Sequence, residues 1–478
     1  MNHSTAPGSR SATEHSGALH STRAQPRRPR VLFLNRSYWP DVEATGQLLT
    51  ELCEDLAGSI DVTVLAGQPN QNPEQQHYRP AGLDHRNGVT IRRVWNTRFS
   101  KRSFIGKAVN LLTYSVSAWA AALRLPRPDI IVAETDPPWL CLLGAFLRHW
   151  FGCALVVYLQ DVYPDVAVAV GALRPGRSTI LLRRLFFNVH RRADRVVVIS
   201  DEMRQLLIDA GVAVDRIVTI PNWVDTRRVQ PWTGANRIRE EHAGDARLVV
   251  MYSGNVGLCQ RLEDVIEAAA RLADRDDIRF LIVGEGVKKS ELLRQASQGG
   301  LKNIVFLPYQ PKHRLAESLG AADVQIVPLD ERVTGFLMPS KLYGVLASAR
   351  PLLAVAPASS DLAQIAQRYN CGVVVPPANP AALAEAIAWC ADHRAELIEM
   401  GSRGRALAVE QYDRALVTRR FGELIAALSG APPAASSSDL PLESSCGNTS
   451  TANGDSVPGA FASQANGVHA EETVHELC

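Results

Sequence analysis

The chain has 478 residues, 46% hydrophobic and 21% charged, with a formal net charge of +2. That length divides into two or three domains of ordinary size, each able to bury a core, and the balanced charge gives no footprint for nucleic acid. The eight cysteines show no CxxC, no paired spacing and no neighbouring histidine pattern, so thiols in a reducing compartment are expected and a disulfide framework or zinc site is not.

Residues 1–30 carry Arg10, Arg23, Arg27, Arg28 and Arg30 against Glu14, in a Ser-, Thr- and Pro-rich setting without apolar periodicity. They read as a disordered tail, as does the acidic stretch 430–478. No long apolar core follows the N-terminal charges and no window holds 18 uninterrupted apolar residues, so neither a secretory leader nor a spanning helix is expected. A cytoplasmic location follows by elimination.

From Val31 the chain alternates short β-branched runs with helical patterns. Val31–Asn35 reads as a buried strand and Gln47–Gly58 as the helix after it. Asp61–Leu65, Val89–Val94, Asp129–Ala133, Ala154–Leu159 and Arg195–Ile199 are further strands. Runs this apolar suit a parallel sheet covered by helices on both faces. The pattern restarts with Leu248–Ser253, Ile278–Val283, Ile304–Leu307, Val324–Pro328, Leu352–Ala354 and Cys371–Val375, followed by helices beginning near Leu262, Lys289, Pro311, Ser340, Asp361 and Ala381. This is an α/β chain of two doubly wound, Rossmann-like domains, 31–222 and 223–410, with a hinge inside Ile220–Gly234. A last helix, Asp413–Leu428, follows. Ligands of such sheets bind outside the carboxyl ends of the strands, so two domains in series imply a cleft between those ends.

The strongest local signal is Thr334-Gly335-Phe336-Leu337-Met338-Pro339-Ser340-Lys341. A strand end runs into a loop with Gly335, then a helix opens on Pro339 and Ser340. Ser340 is expected to cap that helix, its first amides to favour an anion, and Lys341 to add a mobile point charge for phosphate oxygens. Gly254-Asn255 after Leu248–Ser253, and Gly284-Glu285-Gly286 after Ile278–Val283, are turns where backbone can approach a ligand closely or simply turn tightly. The first strand is followed by Asn35-Arg36-Ser37, without glycine, which disfavours a nicotinamide fingerprint.

In the first domain, Thr45-Gly46 stands at the first strand-to-helix connection, where Gly46 either offers its amide to a phosphate or only closes the turn. Gln160-Asp161 and Thr135-Asp136 follow strands and should line the cleft, as candidates for sugar or acceptor hydroxyls. Asp165 reads as a helix cap. No Ser-His-Asp order, HExxH or paired-carboxylate cluster is present, so hydrolase and metalloenzyme chemistry lack support and no metal site is expected. Two stretches, Lys101–Leu125 and Arg174–Arg192, mix basic with large apolar residues, a pattern shared by membrane-surface helices and by core helices with a solvated face.

Taken together, Tyr38-Trp39-Pro40, Gln160-Asp161-Val162-Tyr163-Pro164-Asp165, Ile220-Pro221-Asn222-Trp223-Val224-Asp225, Tyr252-Ser253-Gly254-Asn255, Gly284-Glu285-Gly286 and Pro339-Ser340-Lys341-Leu342-Tyr343 resemble glycosyltransferase family 4, the retaining GT-B enzymes, in their bacterial exopolysaccharide branch of colanic-acid-biosynthesis type. The resemblance spans about residues 31–429. It implies GT-B architecture, with the C-terminal helix crossing back to the first domain. It also implies a nucleotide-diphosphate sugar as donor, held by the second domain through Gly254, Asn255, Gly284, Glu285, Gly335, Phe336, Pro339, Ser340 and Lys341, with no further cofactor. The acceptor, polyprenyl-diphosphate-linked or glycan, would face Gly46, Thr45, Gln160 and Asp136, and the protein would sit peripherally on anionic lipid at the inner face of the plasma membrane. Transfer would be of hexosyl or N-acetylhexosaminyl type, without metal.

Lys341 and Asp161 are the expected catalytic groups. The family's retention is thought to need no protein nucleophile, the departing phosphate taking the acceptor proton, so the protein's task is electrostatic. The paired glutamates common in the family fall at Phe336 and Gly344 here, and the Arg and Lys that often grip the diphosphate fall at Asn255 and Gln260. Those replacements keep open a nucleotide-sugar-binding pseudoenzyme or assembly partner. A UDP-sugar epimerase of the same architecture would need a histidine at a strand's carboxyl end, where His242, His313 and His393 do not stand.

Overall fold

A computed structural model describes residues 27–41, 43–69, 80–99 and 104–430, together with residues 1 and 3. The expected tails otherwise lie outside the described residues. The first boundary moves inward: Arg30 opens the first strand and Arg27 pairs with Asp129 at 3.1 Å.

The first domain holds β1 (Arg30–Leu34), β2 (Asp61–Ala66), β3 (Gly82–Arg86), β4 (Val89–Arg93), β5 (Ile130–Ala133), β6 (Ala154–Leu159), β7 (Arg195–Val198) and β8 (Ile217–Thr219). They form one sheet in the order β3-β4-β2-β1-β5-β6-β7-β8, parallel except for the β3–β4 hairpin. Its central strands are apolar on both faces because helices cover both, and Phe33, Val132 and Val156 are fully buried.

The second domain holds β9 (Leu248–Ser253), β10 (Ile278–Val283), β11 (Ile304–Leu307), β12 (Val324–Pro328), β13 (Leu352–Val355) and β14 (Gly372–Val375), ordered β11-β10-β9-β12-β13-β14 and parallel throughout. In each sheet the strand order reverses beside the domain's first strand, between β1 and β5 and between β9 and β12. Those reversals are the switch points where neighbouring connections leave on opposite faces and open a crevice.

Among the elements not named from the sequence, three show why. The polar β3 (GLDHR) has no apolar alternation strong enough to mark it. Its hairpin turn, however, is Asn87-Gly88 with φ of 45° and 81°, the residues a two-residue hairpin demands. The edge strand β8 has only three residues. Helix Arg394–Gln411 contains Gly401 and Gly404, which weaken helical periodicity; a Cβ on Gly401 would lie 2.2 Å from the Ala349 carbonyl oxygen.

The chain crosses between domains twice, and the crossings lie side by side. Val224 donates to the Tyr412 carbonyl at 3.0 Å, and Arg414 donates back to the Val224 carbonyl at 3.0 Å. Arg405 locks this clasp by donating to the carbonyls of Thr226, Val229 and Ala347, each at 2.8 Å. The final helix, Arg414–Ser429, then packs on the first domain, with Phe421 fully buried 6.4 Å from the Phe33 ring and 5.2 Å from that of Tyr158.

Candidate active site

On the second domain, β9 runs into Gly254 and β10 into Gly284 and Gly286, with φ of 146°, 147° and 156°, a region that L side chains avoid. Their packing allows no side chain either. A Cβ on Gly284 would lie 1.9 Å from the Gly254 carbonyl oxygen, and one on Gly286 would lie 2.3 Å from that of Val256. The two turns are stitched by Gly254 N–H to the Val283 carbonyl at 2.9 Å and Val256 N–H to the Glu285 carbonyl at 2.8 Å. Close backbone approach is therefore what these glycines provide.

The free face of Gly254 is covered by Lys341. A Cβ on Gly254 would stand 2.1 Å from Lys341 Cε, and the ammonium lies 5.3 Å from the Tyr252 ring centre. The two motifs that the sequence placed on the donor side, about 90 residues apart, thus meet across the β9–β12 switch point. Lys341 is less mobile than expected: its stem is packed, and burial lowers its pKa to about 8. Ser340 does not cap the helix. Its φ of −61° and ψ of −21° are already helical, and its side chain makes no capping bond, since a cap needs an extended residue there. The helix itself is short, Lys341–Ala347, so the anion-favouring charge at this corner rests mainly on Lys341.

Pro339 is buried beneath the loop, and Gly335, at φ 80°, makes the turn that sends Phe336 toward the first domain. The Phe336 carbonyl accepts from Val162 N–H at 2.8 Å, and Leu337 bridges Asp161 in antiparallel fashion. The donor-side loop is thus fastened to the residues after β6. Glu285 is held by Lys289 at 2.6 Å, and Lys289 also donates to the Gly284 carbonyl at 2.9 Å. The Asn255 carbonyl accepts from the Tyr252 hydroxyl, which fixes the turn from below.

On the first domain, the residues after β1 and β5 interlock. Arg36 Nε donates to Asp136 Oδ1 at 3.1 Å, its Nη2 lies 3.0 Å from Asp136 Oδ2, and the same nitrogen reaches Glu43 at 3.3 Å. Burial would favour loss of the Arg36 proton, but Asp136, Glu43 and Asp41 outweigh it and hold the guanidinium charged. Glu134 is 2% exposed and neither carboxylate oxygen has a hydrogen-bond partner. Burial, then Asp136, pushes its carboxyl well above the usual range. Asp161 is raised to about 7 by the same two causes in the same order.

Other expected acceptor-side residues have structural partners. Gln160 is buried and exchanges amide hydrogen bonds with Asn222 at 2.8 and 3.2 Å, tying β6 to the first crossing. Gly46 lies inside the first turn of helix Ala44–Leu56, where a Cβ would fall 2.5 Å from Ser37 Oγ, while Thr45 beside it is partly exposed. Asp165 is the first helical residue rather than a cap, and pairs with Arg183 at 2.7 Å. Sequence reasoning missed Arg36, Glu43 and Glu134. A charged residue directly after an apolar strand, as Glu134 follows Ile130–Ala133, is the signal that could have found the last. Among the described residues no group of three or more His, Cys, Asp or Glu could hold a metal ion.

The family model described as Glycosyltransferase Family 4 matches residues 45–228, and the one described as Glycosyl transferases group 1 matches residues 247–393. The chain is similar to the "Putative colanic acid biosynthesis glycosyl transferase WcaI" of Escherichia coli K12, at 28% identity over 376 residues, covering 75% of this chain and 91% of that protein. It is also similar to the "Probable glycosyltransferase WbjE" of Pseudomonas aeruginosa, at 27% identity over 310 residues, covering 63% and 75% respectively. Among solved structures, Anabaena HepE in complex with UDP and glucose superposes with a TM-score of 0.62 at 16% identity, covering 84% of this chain and all of that one, a likeness of fold.

Gly254→Ala tests the geometry. A Cβ at φ 146° strains the turn and displaces Lys341, so the variant's Tm should fall and the Lys341 ammonium should titrate closer to the ordinary lysine range than about 8. An unchanged Tm with an unchanged Lys341 titration would contradict the seating of Lys341 on this glycine. On two family matches that together cover more than half of the chain, and on two doubly wound sheets, the chain belongs to glycosyltransferase family 4.

Proposed function

We propose that the chain transfers a hexosyl or N-acetylhexosaminyl group from a nucleotide-diphosphate sugar to a lipid-linked or glycan acceptor in cell-surface polysaccharide biosynthesis, with retention and without a metal. One observation carries the reading: a half-buried lysine is seated on Gly254 at the switch point of the second sheet. The likeness to WcaI, named for colanic acid biosynthesis, and to HepE, solved with UDP and glucose, supports the substrate class.

In this reading Lys341 holds the charge that develops on the departing diphosphate, since the amides of Gly254, Val256, Gly257 and Phe336 are committed to acceptors within the protein. Such preorganised charge acts most strongly in a cleft that excludes water. Gly284, Glu285, Phe336, Pro339 and Ser340 shape that donor pocket. Asp161, fixed by its bridge to Leu337, accepts a hydrogen bond from the acceptor hydroxyl, and Asp136, Thr45 and Gly46 border the same space. Asp161 and Lys341 are the catalytic residues.

The first domain also faces the inner leaflet. Helix Phe104–Ala122 exposes Leu112 and Val116, helix Leu140–Phe151 exposes Trp150, and helix Arg177–Arg192 exposes Ile180, Leu181 and Leu185 among its arginines. Phe186 and Phe187, grouped with this apolar set in the sequence, are instead buried in the core. No helix among the described residues is long and apolar enough to cross a membrane. Peripheral attachment predicts co-sedimentation with phosphatidylglycerol-containing vesicles that 0.5 M salt weakens; equal recovery with neutral vesicles and no lipid would overturn it.

A second reading, nucleotide-sugar binding without transfer, is favoured by Phe336 and Gly344 in place of the glutamates that the family resemblance implies. A thermal-shift screen of UDP- and GDP-sugars, followed by transfer assays with the best binder, separates the two. Lys341→Ala should lower turnover by on the order of 10²-fold or more. In the wild type, kcat/KM should rise as Asp161 loses its proton near pH 7 and fall as Lys341 loses its own near pH 8. Unchanged turnover in Lys341→Ala, or a flat profile across both values, would contradict these roles.

A further inference from the structure

Along the carboxyl edges of the two sheets, polar contacts cross between the domains. Lys312, after β11, reaches Glu51 on helix Ala44–Leu56 at 3.0 Å. Phe336, after β12, accepts from Val162 N–H, as described above, and Asp361, after β13, meets Glu202, after β7. The Lys312 pair is exposed on its lysine side and belongs to the weak class of surface ion pairs. The contact between Asp361 and Glu202 is built differently.

Glu202 lies in the first turn of helix Asp201–Asp209, and Asp361 opens helix Asp361–Arg368, so two helix N-termini meet across the interface. Each is capped within its own domain: Ser200 Oγ accepts from Met203 N–H and Ser360 Oγ from Ala363 N–H, both at 3.2 Å. A further first-turn amide of each is served by the other domain. Glu202 N–H donates to Asp361 Oδ2 at 2.9 Å, and Asp361 N–H faces the Glu202 carboxyl in return. Facing N-terminal dipoles repel, and carboxylates placed between them offset that repulsion. Such a reciprocal cap exists only while the domains are docked.

The same geometry sets two carboxylates against each other. Glu202 is half-buried against the donor-side loop, where a Cβ on Gly335 would lie 3.9 Å from its own Cβ. Burial raises its carboxyl, the hydrogen bond from Asp361 N–H opposes that rise, and the Asp361 charge adds to it, with the outcome at about 7. Asp201 stands exposed beside it on the same turn, and residues 334–337 bring no ionisable side chain. Behind Asp361 stand Tyr343 and Tyr412, whose hydroxyls burial pushes up, and no lysine or arginine is among the charges that move Glu202. Released from the interface, Glu202 returns toward the ordinary value of 4.5, so docking takes up a proton between that value and about 7. The docked arrangement is favoured at acid pH, weakens as pH rises through that window, and is constant above it.

We infer that Glu202 and Asp361 are positioning residues whose reciprocal caps form a proton-sensitive latch, docking the segment that carries Phe336 and leads to Lys341 against the first domain. The latch couples proton uptake to closure of the cleft. Its consequence for sugar transfer rests on the proposed function; the docking does not, and is tested without substrate.

The test is hydrogen exchange of the full chain, resolved to single amides and corrected for intrinsic exchange, at pH 5 and pH 8 on wild type, Glu202→Gln and Asp361→Ala. The amides of Glu202 and Val162 donate across the interface and report docking, whereas Met203 N–H, bonded within the first domain, reports the integrity of its helix. In wild type, protection of the two reporter amides should fall by at least about tenfold from the lower pH to the higher. Glu202→Gln keeps the shape and loses the ionisation, so it should hold their protection constant. Asp361→Ala should leave the Glu202 amide poorly protected at both values while Met203 stays protected. Flat protection in wild type would overturn the latch. A Glu202→Gln chain with the wild-type dependence would overturn it too, passing the effect to Asp161, another carboxyl raised to about 7 at this interface.

Discussion

The architecture of this cleft depends on a steric constraint: three backbone segments come so close that only glycine fits where they meet. Gly254, Gly284 and Gly286 pack turn against turn at the ends of β9 and β10, and Lys341 occupies the space that a side chain on Gly254 would fill. The contact does two things together. It brings a cation to the switch point of the sheet, and it desolvates that cation enough to lower its pKa to about 8. A lysine held in this way costs the folded state something, because burial disfavours its charged form.

The first domain meets this corner with the opposite chemistry. At its own switch point, after β1 and β5, Arg36 pairs with Asp136 and Glu43 while burial drives Glu134 toward its protonated form, and Asp161 follows the next strand, β6. Because Asp161 and Val162 pair through their backbones with Leu337 and Phe336, the loop after β6 and the loop after β12 share one small bridge. The side-by-side crossings at Val224 and Arg414 hold the domains in the relation that makes the bridge geometrically available. The two domains are thus mechanically joined at this corner as well as at the crossings.

The alternation of apolar runs and helical patterns made both domains legible, and Ala154–Leu159, Leu248–Ser253, Ile278–Val283, Ile304–Leu307 and Val324–Pro328 are strands with those bounds. Elements whose stability comes from neighbours were harder: β3 is stapled by its Asn87-Gly88 turn, and helix Arg394–Gln411 pays for two glycines with close packing. In the site, Lys341 and Gly254 could be nominated separately, but no spacing rule says that one lies upon the other. Ser340 was misread because a serine before a helix signals a cap only when its backbone is extended. Gln160 was placed by its strand end, whereas its partner Asn222 lies in a different connection.

The central claim is that Lys341 is a desolvated cation awaiting an anion at the Gly254 turn. Its most direct test is to follow the Lys341 ammonium by nitrogen-15 NMR of lysine-labelled protein, titrated with pH in the absence and presence of UDP or GDP. The account predicts titration near pH 8 in the free protein and an upward shift of at least about one unit when a nucleoside diphosphate binds. An ammonium that titrates above 10 in the free protein, or one whose titration is unmoved by a bound diphosphate, would contradict it.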